Sequence, residues 1–257
     1  MKAAVCQMNI AFEEKEYNLK RAKEFIKQAA REKADIILFP EMSFTGFSMD
    51  VERMGETDDY TKAQISQAAR ANGIAVGFGV TLINEGKGEN HYIICNKDGE
   101  PVSDYIKLHS FSIGGELKQF RKGSKLARTS LCGHSISTFI CYDLRFPEIF
   151  RAAADESSII TVAANWPKSR RMHWKSLLRA RAIENQSYII GINCTGKQGE
   201  IEYGGESSVI SPSGELMYEA GEAEELFYCE IPDNVDEIRK NFPVLEDRRA
   251  EFYRSII

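Results

Sequence analysis

Short apolar runs alternate with amphipathic stretches from one end of the chain to the other, and the alternation predicts its elements. Lys2 to Met8 reads as a strand. Glu13 to Lys33 reads as a helix, because Leu19, Ala22, Phe25, Ile26, Ala29 and Ala30 recur at helical spacing on one face. Ala34 to Phe39 is predicted as a strand, Tyr60 to Asn72 as a helix stopped by Gly73, and Ile74 to Leu82 as a glycine-spaced strand. His91 to Asn96 and Val102 to Ile106 flank Lys97-Asp-Gly-Glu-Pro101, where Asp98-Gly99 supplies the positive φ of a tight hairpin.

The second half continues in the same style without visible repetition. Ile136 to Ile140, Ser158 to Ala163 and Tyr188 to Asn193 are predicted strands, with helices over Pro147 to Ala154 and Arg171 to Asn185 between them. Val209 to Tyr218 reads as a second hairpin around Pro212-Ser-Gly214, and the residues from Asp233 onward as a charged helix and tail. Hairpins mixed with strand–helix alternation predict mixed sheets covered by helices, not one purely parallel sheet. At 257 residues and 43% hydrophobic content, one large α/β domain accounts for the chain.

Charge narrows the class of partner. The formal net charge is −5 with both signs interspersed, which leaves no basic footprint for nucleic acid and points to a small molecule. The N-terminal run lacks the apolar length of a secretion signal or a membrane span, so a cytoplasmic protein without membrane association is expected. The six cysteines (Cys6, Cys95, Cys132, Cys141, Cys194 and Cys229) are scattered without a C-x-x-C pair, unlike a disulfide framework; five are expected to be inert core residues.

Cys141 is the exception. It closes the apolar run Ser135 to Ile140 and precedes the polar segment Tyr142 to Glu148, a place where a thiol is presented by the end of a strand. Glu41 after Ile36 to Pro40 and Lys107 after Val102 to Ile106 occupy matching places. A thiol, a carboxylate base and an ammonium are the parts of an amide hydrolase, with the Tyr142 N–H as a second donor to a developing oxyanion. Base, cation and the helix beginning near Pro147 are each available to favour the thiolate. Among the histidines, His109 is the nearest rival as base.

Phe39-Pro-Glu-Met-Ser-Phe-Thr-Gly46, Tyr105-Ile-Lys-Leu-His109 and Ile140-Cys-Tyr-Asp-Leu-Arg-Phe-Pro-Glu148 resemble, in order, the glutamate, lysine and cysteine motifs of the nitrilase superfamily of carbon–nitrogen hydrolases. The similarity runs from Lys2 to about Pro232, which divides the chain into a hydrolase domain over 1–232 and a C-terminal helix and tail over 233–257 at a possible oligomer interface. The resemblance implies a four-layer α-β-β-α sandwich, a homodimer or larger homo-oligomer, and a site without metal or organic cofactor. It assigns Glu41 as general base and acid, Lys107 as stabiliser of the tetrahedral intermediate, Cys141 as the nucleophile that forms a thioester, and Glu116 as a second glutamate.

Asp143-Leu-Arg-Phe-Pro-Glu148 is similar to the omega-amidase group, which removes the terminal amide of 2-oxoglutaramate or 2-oxosuccinamate. Asn165-Trp-Pro167, with Arg170, His173-Trp174 and Ala180 to Gln186, is similar to bacterial members of it; Cys194 departs from them, standing where arginine is common. The expected substrate is a short amide bearing a carboxylate. Tyr142, Arg145, Trp166 and Phe47 are the candidate substrate-binding residues. Two readings stay open for Arg145: it binds the carboxylate bidentately, or it pairs with Glu148 or the backbone. An N-carbamoyl amine or amino-acid hydrolase, and a non-catalytic scaffold with the same fold, are the alternatives.

Overall fold

The computed structural model describes residues 1–256, so the final position of the expected 233–257 segment, Ile257, lies outside the described residues. The first half runs β1 (Lys2–Gln7), α1 (Lys15–Arg31), β2 (Ile36–Leu38), α2 (Val51–Met54), α3 (Tyr60–Asn72), β3 (Ala75–Asn84), β4 (Lys87–Cys95), β5 (Pro101–Ile106), α4 (Glu116–Gln119) and β6 (Phe120–Arg121). The second runs β7 (Arg128–Leu131), β8 (His134–Ile140), α5 (Pro147–Ala154), β9 (Ile159–Ala164), α6 (Arg171–Asn185) and β10 (Tyr188–Asn193). There follow β11 (Thr195–Gln198), β12 (Ile201–Gly204), β13 (Ser208–Ile210), β14 (Leu216–Glu219), β15 (Glu225–Glu230), α7 (Val235–Asn241) and α8 (Ala250–Arg254).

Two mixed sheets result. The first has the order β15-β1-β2-β3-β4-β5, with β6 added beside β4; the second has the order β14-β13-β10-β9-β8-β7. Strands joined through helices pair in parallel, as β1 with β2 and β8 with β9, and strands joined by short turns pair antiparallel, as β3 with β4. β15 returns from the far end of the chain to pair antiparallel with β1, in the register Lys2 opposite Glu230.

The period-2 alternation of β1 decides which side faces what. Ala3 and Val5 join a core shared with Phe139, Ile140, Val162 and Ile190 of the second sheet, while Ala4 and Cys6 pack against Leu19, Ala22 and Ile26 of α1. Because each central strand is covered on both faces, β9 is buried at every position. The α-β-β-α sandwich follows from these two cores. Among the described residues no helix is long and apolar enough to cross a membrane.

Candidate active site

Glu41 is delivered by a turn that follows β2, and glycine makes room for it. A Cβ at Gly79 in β3 would lie 2.3 Å from the Met42 nitrogen and 2.8 Å from the Glu41 carbonyl carbon, so only glycine lets the turn lie against the strand. The Ser43 hydroxyl donates to the Pro40 carbonyl at 2.6 Å and accepts from Gly79 N–H at 2.8 Å, locking the turn in place. Met42 takes the left-handed conformation at φ 43°, an uncommon state for a side-chain-bearing residue and one held here by its surroundings.

Lys107 leaves β5 with its N–H bonded to the Asn90 carbonyl at 2.9 Å. Its buried ammonium donates to Glu41 Oε1 at 2.9 Å and to both oxygens of Glu116, at 3.0 and 2.9 Å. Burial acts to lower the Lys107 pKa, but the Glu41 and Glu116 carboxylates outweigh it and hold the side chain above its ordinary range, so it stays an ammonium. Glu116 opens α4 behind Gly115 and also accepts from the Phe111 N–H. Its pKa is raised by burial, which the Lys107 ammonium opposes and the Glu41 charge reinforces.

Cys141 follows the last residue of β8 and begins a short helical turn over Cys141–Arg145, again at a positive φ, 47°. The first N–H groups of such a turn have no partner within it, which leaves the Tyr142 N–H free to meet an oxyanion. The thiol donates toward the Asn165 carbonyl oxygen at 3.8 Å. Its pKa is pushed well up, first by burial and then by the Glu41 charge, against the pull of Lys107; Glu116 and a hydrogen bond to Glu41 add to the rise. Burial and the neighbouring carboxylates thus oppose the thiolate, and among the aids expected from the sequence the Lys107 cation favours it. α5 begins only at Pro147, so the helical turn at the cysteine is its own.

Three residues without an assigned role in the sequence bind this group together. Asn90 donates from Nδ2 to Glu41 Oε1 at 2.8 Å, and Asn165 N–H donates to Glu41 Oε2 at 2.9 Å while its Nδ2 holds the Glu41 carbonyl at 2.7 Å. Asp143, fully buried, accepts from Ile140 N–H at 3.1 Å, Tyr105 hydroxyl at 2.8 Å and His109 N–H at 2.9 Å. Each is an ordinary polar residue in the sequence, and what distinguishes the three is their burial in the folded chain.

His109, the rival base, is engaged elsewhere. Its Nδ1 lies 2.8 Å from Asp143 Oδ1 and its ring stacks on Phe146 with centroids 3.7 Å apart. Of the five cysteines expected in the core, Cys132 is instead exposed, in the Cys132-Gly133 turn between β7 and β8 at φ 50°, and Cys229 on the edge strand β15 is only half-buried. Cys194 is buried and donates to Asn165 Oδ1 at 2.9 Å, an atom that also accepts from Gln198 Nε2 at 3.0 Å.

A cavity of about 430 Å³ opens over Cys141, within the size range of small-molecule sites. Phe47, Tyr142, Arg145 and Trp166 all line it, joined by Phe111, Asn165, Arg170 and Tyr203, whereas Glu41, Lys107 and Glu116 stand behind the thiol instead of on the wall. Phe44, beside Glu41 in sequence, is buried in the first sheet's helix-facing core. Arg145 settles against aromatic faces, 4.8 Å from the Trp166 ring centroid and 5.9 Å from that of Tyr142. Its polar partner is His173 Nδ1 at 3.2 Å, not Glu148. Arg170 lies 5.2 Å over Phe111. Neither arginine is ion-paired among the described residues, and both line the cavity. No group of three or more His, Cys, Asp or Glu side chains among the described residues is arranged to hold a metal ion.

Comparison with known proteins places the chain in a family. The carbon–nitrogen hydrolase family profile matches residues 2–240. A 2-oxoglutaramate amidase of Bacillus subtilis (strain 168) is 31% identical over 252 residues, covering 96% of this chain and 97% of that one. Omega-amidase YafV of Escherichia coli (strain K12) is 34% identical over 185 residues, 71% of each chain. Among solved structures, a CN-hydrolase superfamily protein of Xanthomonas campestris, with an arsenic adduct in its active site, superposes with a TM-score of 0.91 at 28% identity, covering 96% of this chain and 97% of that chain.

Proposed function

The chain belongs to the carbon–nitrogen hydrolase family and acts on carbon–nitrogen bonds other than peptide bonds, and from that premise we propose that it is a thiol-dependent amidohydrolase releasing ammonia from a short amide that bears a carboxylate. The observation that carries the reading is a buried thiol beside a Glu41–Lys107–Glu116 cluster at the floor of a cavity lined by two arginines that have no ion pair among the described residues.

In this reading Glu41 removes the Cys141 proton as Sγ attacks the amide carbon. The tetrahedral oxyanion is held by the Lys107 ammonium and the Tyr142 N–H; losing one such donor costs about 3 to 4 kcal/mol of transition-state stabilisation. Glu41 passes its proton to the amide nitrogen, the C–N bond breaks and ammonia leaves a thioester on Cys141. Glu41 then accepts a proton from water as the water attacks the thioester, the C–S bond breaks and the thiolate is reprotonated, giving a carboxylic acid product. One carboxylate serves both halves.

The names of the relatives support 2-oxoglutaramate as the substrate class, a molecule whose amide and carboxylate lie at opposite ends. Arg145, and Arg170 across the cavity, hold the carboxylate end in this reading. The test is a panel of 2-oxoglutaramate, its analogue lacking the carboxylate and N-carbamoyl amino acids, assayed for ammonia. The carboxylate-bearing amide is expected to be preferred, and Arg145→Gln to raise its KM about tenfold with little change for the neutral analogue. Equal turnover of amides with and without the carboxylate, or a preference for N-carbamoyl substrates, would count against the assignment.

A further inference from the structure

We propose that Asn90 is a positioning residue that fixes which oxygen of Glu41 carries the proton, an inference that rests on the amidase reading above. Asn90 Nδ2 donates to Glu41 Oε1, the same oxygen that accepts from the Lys107 ammonium, at 2.8 and 2.9 Å respectively. It also reaches Glu116 Oε1 at 3.4 Å, so one amide spans the two carboxylates. With two donors on Oε1 and a single backbone donor, Asn165 N–H, on Oε2, the two oxygens are not equivalent. A proton arriving on the carboxylate goes to Oε2, whose remaining lone pair is the free one.

The side chain has no other duty. Asn90 is 1% exposed, and its Oδ1, also buried, has no hydrogen-bond partner among the described residues, although buried acceptors are seldom left so. Turning the amide over would set Oδ1 against the carboxylates, so the orientation is fixed by Glu41 and Glu116 and the orphaned oxygen is its consequence. The backbone reinforces the geometry, because the Asn90 carbonyl accepts the Lys107 N–H at 2.9 Å and ties the amide to the residue that shares its target oxygen. Oε2 then keeps one orientation while the proton passes from sulfur to Glu41 and on to the leaving nitrogen.

The test compares Asn90→Ala and Asn90→Asp with the wild-type enzyme. For Asn90→Ala, kcat on the amide is expected to fall about tenfold or more, with KM within about threefold. The near-isosteric Asn90→Asp keeps the shape, and its activity relative to wild type is expected to decline as pH rises. A protonated carboxyl still donates to Glu41, whereas an ionised one does not. A merely structural role would lower the unfolding midpoint without that pH dependence. Wild-type kcat in Asn90→Ala, or a deficit in Asn90→Asp that is the same at every pH, would overturn the inference. Iodoacetamide labelling of Cys141, followed peptide by peptide because Cys132 is exposed, needs no substrate. If the wild type releases no ammonia from any amide, the amidase reading falls and the labelling still decides Asn90. Slower Cys141 labelling in Asn90→Ala supports the positioning role, and an unchanged rate contradicts it.

Discussion

Glu116 shares the Lys107 ammonium with Glu41 inside a water-excluded cluster, and its charge state is set by burial first. Its carboxyl is held above the ordinary value of 4.5 in the folded chain, so the native state binds that proton more tightly than the unfolded state does. The sign follows: its contribution to stability is fully present below 4.5 and is lost as pH rises through the folded value. Glu116→Gln removes this loss. Its urea unfolding free energy, relative to wild type, is expected to increase from pH 4.5 to pH 7 while ammonia release falls about tenfold or more. A stability difference that stays constant across that window would contradict the assignment. Glu41, Lys107 and Cys141 were singled out from the sequence by their local motifs and Glu116 by its place a little after the lysine, and the fold brings Glu41, Lys107 and Glu116 into contact. Asn90 and Asn165 were not: they meet Glu41 from positions 49 and 124 residues away, and nothing in a single sequence reports such distances.

At the scale of elements, the strands and long helices read from the hydrophobic period are present with ends shifted by a few residues, whereas β6, β7 and β15 were not read from it. The predicted strand over His91 to Asn96 begins instead at Lys87, because the polar Gly88-Glu89-Asn90 segment pairs with Leu82, Thr81 and their neighbours on β3. β11 and β12 were not foreseen: Thr195 to Gln198 and Ile201 to Gly204 are too short and polar for a periodic signal. The cysteine turn is the element with the most riding on one side chain. Asp143 accepts from the end of β8, from Tyr105 at the end of β5 and from the backbone of His109, so it fastens the nucleophile's turn to the lysine's strand. Asp143→Ala leaves these buried donors unpaired. An unfolding free energy lower by about 3 kcal/mol is expected, with a larger loss of kcat than of substrate affinity. Thermal melts and kinetics of Asp143→Asn and Asp143→Ala together check this; wild-type kcat in Asp143→Ala would remove the turn's role.

For the whole molecule, the site exists because two sheets dock. The first sheet supplies Glu41, Asn90 and Lys107, and the second supplies Cys141 and Asn165, so base and nucleophile meet only across the shared core. The order of the motifs and the resemblance made the family and the layered fold readable. The order of the strands, and the return of β15 beside β1, depended on contacts between the two ends of the chain. In the proposed reaction Cys141 carries the acyl group of an amide substrate. Acid quenching during turnover of 2-oxoglutaramate, followed by peptide-resolved mass spectrometry, tests it most directly. An adduct equal to substrate minus ammonia is expected on the Cys141 peptide, absent together with ammonia release in Cys141→Ala. Ammonia release that persists in Cys141→Ala, or an adduct confined to another cysteine, would contradict it.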